Sequence, residues 1–159
     1  MNHLFATWRM NYISAPKHEG CIFCDYPGEK RDEEHHILYR GEACFVILNL
    51  YPYNPGHLMV VPYRHTNLYE SLTDDEHFDM NRLAAQSIRT LKNVMDPEGF
   101  NMGMNLGKIA GAGMEGHLHL HIVPRWSGDN NFMPVIADTR VVPEALSETY
   151  RKLKAAWIL

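Results

Sequence analysis

At 159 residues, with 45% hydrophobic and 21% charged side chains, the chain has the size and make-up of one ordinary globular domain with a core of its own. Its formal net charge of −4 speaks against a general nucleic-acid binder, which wants a basic face, but leaves room for a small polyanion held by a few local cations and backbone N–H groups. No apolar run approaches membrane-spanning length, and three cysteines, an odd number, make no disulfide framework and point to a reducing compartment.

The N-terminal stretch MNHLFATWRMNY lacks the apolar centre of a signal peptide, so a cytoplasmic protein is expected. Residues 1–20, with Trp8, Tyr12, Pro16 and Gly20, read as an irregular arm covering apolar surface, and residues 21–159 as a single domain. Cys21 and Cys24 form a Cys-x-x-Cys pair, and residues 25–35 (DYPGEKRDEEH) read as a polar surface loop. The apolar run 43–48, bounded by Gly41 and Asn49, reads as a buried strand. A Pro-rich loop over 51–56 leads to a second strand, 57–61, stopped by Pro62. Thr73-Asp74-Asp75-Glu76 is a capping box. Met80, Leu83, Ala84, Ser87, Ile88, Leu91 and Met95 follow it at helical spacing until Asp96-Pro97. Residues 100–105 and 117–123 read as a third and fourth strand, and 143–157 as a closing helix with Pro143 at its start. Several strands, one long helix and no regular βαβ alternation make the fold α+β.

The most informative segment is His117-Leu118-His119-Leu120-His121-Ile122-Val123. Strand periodicity of two puts all three imidazoles on one face, ~7 Å apart along it, with the apolar residues left for packing. Three groups titrating near neutrality on one face suit either metal ligation or chemistry on a phosphate. Three such ligands do not easily converge on one ion whose bonds are ~2 Å long, which disfavours a catalytic zinc held by this row.

Cys21-x-x-Cys24 is open to three readings: a redox pair, half of a zinc site, or two buried thiols. A redox pair usually sits where a strand leads into a helix, and these flanks do not look helical. Zinc needs two further ligands, for which histidine is the natural supply. Cys44 lies in an apolar run and reads as a small core residue. Gly111-Ala-Gly113-Met-Glu-Gly116 matches G-x-G-x-x-G by letter, but it runs into an alternating strand, whereas a dinucleotide fingerprint opens a helix. Such a loop still presents backbone N–H groups to a phosphate, and Asn105 just before it adds a side-chain donor. By default Asn49 is a turn former and His57 an exposed residue at a strand start. His3, His18, His35, His36 and His77 read as solvated surface, and Trp126 and Phe132 as packing.

Together these pieces resemble the histidine triad nucleotide-binding superfamily. Its signature, His-x-His-x-His followed by two apolar residues, is met by HLHLHIV. Asn49 with Gly56-His57-Leu-Met-Val-Val-Pro62 resembles the family's upstream segment, and the likeness covers roughly residues 20–125. Trp8-Arg9-Met10-x-Tyr12-Ile13, Asn49-Leu-Tyr-Pro-Tyr-Asn54, Gly99-Phe-Asn-x-Gly-x-Asn-x-Gly107 and Val123-Pro-Arg-Trp-x-Gly-Asp-x-Asn-Phe132 resemble a bacterial branch that contains diadenosine tetraphosphate phosphorylases. One departure stands out. Many members carry Gly-Gln-Ser/Thr shortly before the triad, where this chain has Ala112-Gly113-Met114-Glu115-Gly116, which argues against nucleoside phosphoramidase activity.

The resemblance implies an antiparallel half-barrel sheet with one long helix and a C-terminal helix, two-fold homodimers, and nucleotidyl transfer on dinucleoside polyphosphates. His119, the middle imidazole, matches the family's nucleophile, and a neutral imidazole is competent toward a phosphoanhydride. His121 and Asn105, with Gly113 and its loop, match the holders of the non-bridging oxygens. Asn49 matches the position that holds the ribose hydroxyls and His57 another that lines the nucleotide site, with Ile47 and Leu50 flanking the base. Lys108 and Arg125 are the cations that an acceptor phosphate would meet. Some bacterial members bind a structural zinc through positions that here are Cys21, Cys24, His65 and His117. Phosphorolysis is the favoured outcome. Hydrolysis releasing AMP, and a nucleotide-binding module without turnover, are the alternatives.

Overall fold

The computed structural model describes residues 20–129 and 144–157, so the expected arm over 1–19, with His3 and His18, and the packing role of Phe132 lie outside the described residues. Strands β2 (Cys44–Leu48) and β3 (Leu58–Pro62) are buried at every position, the mark of strands covered on both faces. They pair antiparallel, Leu48 opposite Leu58, so that Asn49 and His57 meet at the mouth of the hairpin, where Asn49 N–H donates to the His57 carbonyl at 2.9 Å.

The strand β1 (Ile37–Arg40) adds to the outer side of β2. β5 (Leu120–Arg125) adds to β3, and β4 (Gly99–Gly103) to β5. The result is an open five-stranded antiparallel sheet in the order β1-β2-β3-β5-β4.

The period of two divides this sheet into two cores. Cys44, Val46, Leu48, Leu58, Val60 and Ile122 face the long helix α2 (Asp74–Met95), whose Met80, Leu83, Ala84 and Leu91 are buried against them. Phe45, Ile47, Met59 and Val61 face the other way, where Phe23 and Ile37 complete a smaller core. The capping box is made on both sides: Glu76 N–H donates to Thr73 Oγ1 at 3.2 Å, and Thr73 N–H to Glu76 Oε2 at 2.8 Å. The C-terminal helix α3 (Leu146–Ala155) lies against β1. There Tyr150 Oη donates to the Ile37 carbonyl and Lys154 Nζ to that of Leu38, so the edge strand is covered. No helix among the described residues is long and apolar enough to cross a membrane.

Four expectations are corrected. The stretch after Cys21 is not all loop: α1 (Ile22–Glu29) is helical, its first turn closed by Cys24 and Asp25 N–H groups on the Cys21 carbonyl. Its polar letters and Pro27-Gly28 hide the fact that Phe23, 2% exposed, nails it to the sheet, and burying a Phe outweighs poor local propensity. β1 is an element that the chain's periodicity does not reveal, being only four residues long. The His row is a strand only from Leu120 onward, and 117–119 run outside the ladder, with Leu118 N–H donating to the Thr66 carbonyl. His35 and His36 are not solvated: His35, 8% exposed, stacks on Tyr26 and meets Glu29, and His36, half-buried, sits edge-on to Tyr150.

Candidate active site

Because β5 alternates, His121, Val123 and Arg125 share the face opposite α2, and His119 precedes them on that side. Three imidazoles, those of His57, His119 and His121, gather where this face meets the β2–β3 hairpin mouth. The His119 and His121 ring centroids are 4.7 Å apart and the His57 and His121 centroids 5.1 Å, with planes tilted so that edges meet faces. The rings lean together and stand closer than the ~7 Å that a straight strand gives.

Each ring is distinguished by the hydrogen bond it makes. His57 is fully buried, which corrects the default reading of an exposed residue. Tyr53 N–H donates to its Nδ1 at 3.1 Å. A neutral imidazole whose Nδ1 accepts carries its proton on Nε2, so His57 Nε2–H donates to His121 Nδ1 at 2.9 Å. By the same logic His121 carries its proton on Nε2, a buried donor with no partner among the described residues. His119 lies 2.8 Å by its Nδ1 from the His117 carbonyl, an atom that only accepts, so Nδ1 holds the proton and Nε2 the lone pair. Burial holds all three neutral. His57 is pushed down to about 3 by desolvation and its neighbours His121 and His119, His121 to about 4 by desolvation and His119, and His119 downward by desolvation.

Asn49 Oδ1 accepts from Tyr51 N–H at 2.9 Å. Its Nδ2 stands 3.4 and 3.5 Å from the two nitrogens of His57. Beyond His121 lies a cavity of about 350 Å³ lined by Tyr53, Asn101, Gly103, Asn105 and Arg125 among others, and His119 is not part of its wall. Asn105 Nδ2 reaches the Gly111 carbonyl at 3.5 Å, tying the cavity to the Gly-rich loop, where Gly113 is exposed. Arg125 is not a free cation: it grips both oxygens of Asp129 at 2.6 and 2.8 Å and donates to Asn101 Oδ1 at 2.7 Å. Lys108 is exposed on a short 3-10 turn. Met114, in the segment that departs from the family's Gly-Gln-Ser/Thr, packs against the smaller core.

The first imidazole of the row serves a different centre. Cys21, Cys24, His65 and His117 bring their ligand atoms within 4.8 Å of one another. His117 Nδ1 is 3.3 Å from Cys21 Sγ, 3.5 Å from Cys24 Sγ and 3.2 Å from His65 Nδ1, and His65 Nδ1 is 3.3 Å from Cys24 Sγ. A tetrahedral ion with bonds of ~2.3 Å to sulfur and ~2.0 Å to nitrogen spaces its ligand atoms ~3.3–3.8 Å apart, and these four distances lie close to that spacing. His117 Nε2 donates to the Pro62 carbonyl at 2.8 Å, which fixes the tautomer that offers Nδ1 to the cluster. The Cys24 thiol is pushed up to about 11, chiefly by burial and then by Cys21 beside it. A divalent ion supplies the charge that makes such a thiolate affordable.

Reasoning from sequence leaves out three participants in this arrangement. They are Tyr53, which sets the tautomer of His57, Asp129, which occupies Arg125, and Phe23, whose ring touches both His117 and His119.

An α+β protein with neutral, tautomer-fixed imidazoles beside a cavity is equipped for chemistry on a phosphate, and its antiparallel sheet is not that of a Rossmann fold. Comparison with known proteins gives the family. The HIT domain model matches residues 30–128, and the chain belongs to the HIT family. It is 42% identical to a Mycobacterium tuberculosis protein named AP-4-A phosphorylase, over an alignment covering 99% of this chain and 85% of that protein. Among solved structures it resembles a Zn-bound histidine triad family protein from Mycobacterium smegmatis, with a TM-score of 0.70 and 27% identity over 87% of this chain and 93% of the other. It also resembles a hypothetical histidine triad nucleotide-binding protein from Sulfolobus tokodaii, with a TM-score of 0.67 and 26% identity over 86% and 88%.

Proposed function

We propose that this chain cleaves dinucleoside polyphosphates of the diadenosine tetraphosphate type by nucleotidyl transfer through His119, with inorganic phosphate as the favoured acceptor. The observation that carries the reading is the bond from His119 Nδ1–H to the His117 carbonyl, which leaves a neutral, lone-pair Nε2 on a ring that cannot turn freely. Nε2 attacks the α-phosphorus in line, and the bond to the bridging oxygen breaks with its electron pair leaving on the remaining nucleoside triphosphate. A nucleotidyl-imidazole remains. His121 Nε2–H, which has no partner among the described residues, donates to a non-bridging oxygen as charge gathers there. Asn105 and the backbone around Gly113 add donors, and Asn49 flanks the nucleoside, while the fully buried His57 acts through its bond to His121. Phosphate oxygen then displaces the imidazole and releases a nucleoside diphosphate. The 42% identity to an AP-4-A phosphorylase supports the choice of substrate and acceptor.

A second reading has its own observation. The Arg125 charge is engaged by Asp129, so an acceptor phosphate meets Arg125 only by competing with that carboxylate, whereas water needs no cation. Product analysis on diadenosine tetraphosphate, with and without inorganic phosphate, decides between them. Phosphorolysis gives ADP with ATP at a rate that rises with phosphate. AMP with ATP at a phosphate-independent rate makes the protein a hydrolase, and nucleotide binding without turnover makes it a binding module.

Cys21, Cys24, His65 and His117 are proposed to hold a structural zinc, an assignment supported by their tetrahedral spacing and by the Zn-bound neighbour. When bound, the ion anchors α1 to the segment carrying the nucleophile. The protein is further proposed to act in the cytoplasm as a homodimer. Free thiols at Cys21, Cys24 and Cys44 suit the compartment. The edge strand β4, with Met102, Leu106 and Ile109 exposed near it, offers apolar surface and open backbone groups to a second copy.

A further inference from the structure

The helix turn that carries the two cysteines also carries Phe23, and no role in the chemistry has so far been attached to it. Its ring is 2% exposed and roots in the smaller core with Ile37, Phe45, Ile47, Met59 and Val61. The other side of the ring meets two imidazoles at once: the His117 centroid is 5.5 Å away at an interplanar angle of 73°, and the His119 centroid 5.1 Å away at 45°. His119 is thus held from two directions. Its Nδ1–H is tied to the main chain of His117, while its ring lies against Phe23. Both supports lead to the cluster, since His117 is a member of it and Phe23 sits between Cys21 and Cys24 on the turn that the cluster anchors.

We propose that Phe23 is a positioning residue for the nucleotidyl-transfer step, the wedge through which the Cys21–Cys24–His65–His117 cluster fixes the rotamer of His119. The proposal rests on His119 being the nucleophile. A ring held against Phe23 and bonded at Nδ1 has one orientation for its Nε2, and an in-line attack needs that orientation before the substrate arrives. Removing the wedge leaves the bond to His117 as the remaining support and opens space for the ring to rotate about χ2 and break it part of the time. The loss then falls on the chemical step and not on nucleotide affinity, because Phe23 is not among the groups that bind the nucleotide. A purely structural Phe behaves differently: its removal lowers the amount of folded, metal-bearing protein and leaves kcat per folded molecule alone.

The test uses Phe23→Ala and Phe23→Leu in the full chain, loaded with zinc. Metal content, melting temperature, kcat and KM on diadenosine tetraphosphate are measured together with the ring NMR signals of His119. The expected result for Phe23→Ala is a fall in kcat of about 10-fold or more at a KM within about threefold, with zinc per chain unchanged. The His119 Nδ1–H resonance, sharp in the parent, broadens or vanishes. Phe23→Leu, which keeps most of the volume, restores much of both. A kcat within threefold of the parent overturns the proposal, and so does a loss that tracks loss of zinc one for one. Should Phe23→Ala not fold, Phe23→Leu and Phe23→Met decide by the same readouts. The NMR arm separates this idea from the reading beneath it. If the parent forms no nucleotidyl-histidine, the His119 assignment fails, whereas an ordered ring in the parent that loosens in the variant still reports the wedge.

Discussion

Replacing His57 by Leu tests the relay that gives His121 its donor. The substitution puts an apolar side chain of similar size in a position that is fully buried, so cavity formation is small, and the change is concentrated in two hydrogen bonds. The Tyr53 N–H loses its acceptor and His121 Nδ1 loses the N–H that stood 2.9 Å away. A buried polar group left unpaired costs about 1–3 kcal/mol; His121 Nδ1 pays that in full, while Tyr53, half exposed, recovers part of it from water. The expected destabilisation is therefore about 2–4 kcal/mol, read from urea unfolding of the zinc-loaded protein. Catalysis suffers separately. Without His57 the His121 proton is no longer confined to Nε2 and its ring is free to turn. Complete loss of an oxyanion donor costs about 10²–10³ in rate, so the variant, which keeps the donor part of the time, falls at least ~10-fold in single-turnover nucleotidyl transfer. His121→Phe, which removes the donor outright, falls further. A His57→Leu enzyme that transfers within threefold of the parent refutes the tautomer assignment, whatever its stability.

Cys24→Ser is expected to abolish stoichiometric zinc, measured by metal analysis after gel filtration, and to lower the melting temperature, because the ion is bound by the folded chain alone. Stability should also fall with pH. Unfolded imidazoles take protons near 6.5, while folded His57 and His121 resist down to about 3 and about 4. The unfolded state thus binds more protons across that window, and each ring removes up to ~1.4 kcal/mol per pH unit as the pH drops below 6.5. A melting temperature that is flat from pH 7 to 5 contradicts the buried neutral histidines. Met102→Lys on the edge strand should convert a dimer into a monomer by light scattering, and an unchanged mass places the interface elsewhere.

How much of this is legible in the sequence depends on whether the determining contact is local. The capping box at Thr73–Glu76, the α2 stripe and the all-buried runs of β2 and β3 are local patterns, and they stand where periodicity puts them. α1 is not legible, since nothing in DYPGEKRDEEH says that Phe23 will be buried by Ile37 and Met59 from other parts of the chain. His35 and His36 are read as solvated for the same reason, their cover being Tyr26 and the distant Tyr150. At the site, the Cys-x-x-Cys, the triad and Asn49 with His57 are visible as letters, but their tautomers are not. They follow from Tyr53 N–H and from the carbonyls of Pro62 and His117, backbone atoms that every sequence contains.

The division of labour within the triad comes from where β5 begins. Period two makes His117, His119 and His121 equivalent, and equivalent rings would compete for one task. The ladder with β3 starts only at Leu120, opposite Val60. From there on the main chain is committed to its neighbours, and His121 finds its partner in a side chain, His57, across the pair Met59–His121. Before it, the carbonyl of His117 is outside the ladder and accepts from the ring two residues on, which turns His119 Nε2 outward from its own backbone. The ring of His117, lying where the chain crosses the end of β3, donates to Pro62 and gives its other nitrogen to the thiols. Starting the ladder two residues earlier would occupy the His117 carbonyl, release the proton of His119 to either nitrogen, and pull the first imidazole away from Cys21 and Cys24. The late start of the strand is thus what lets one repeating pattern supply a ring facing the thiols, the proposed nucleophile and a hydrogen-bond donor in turn.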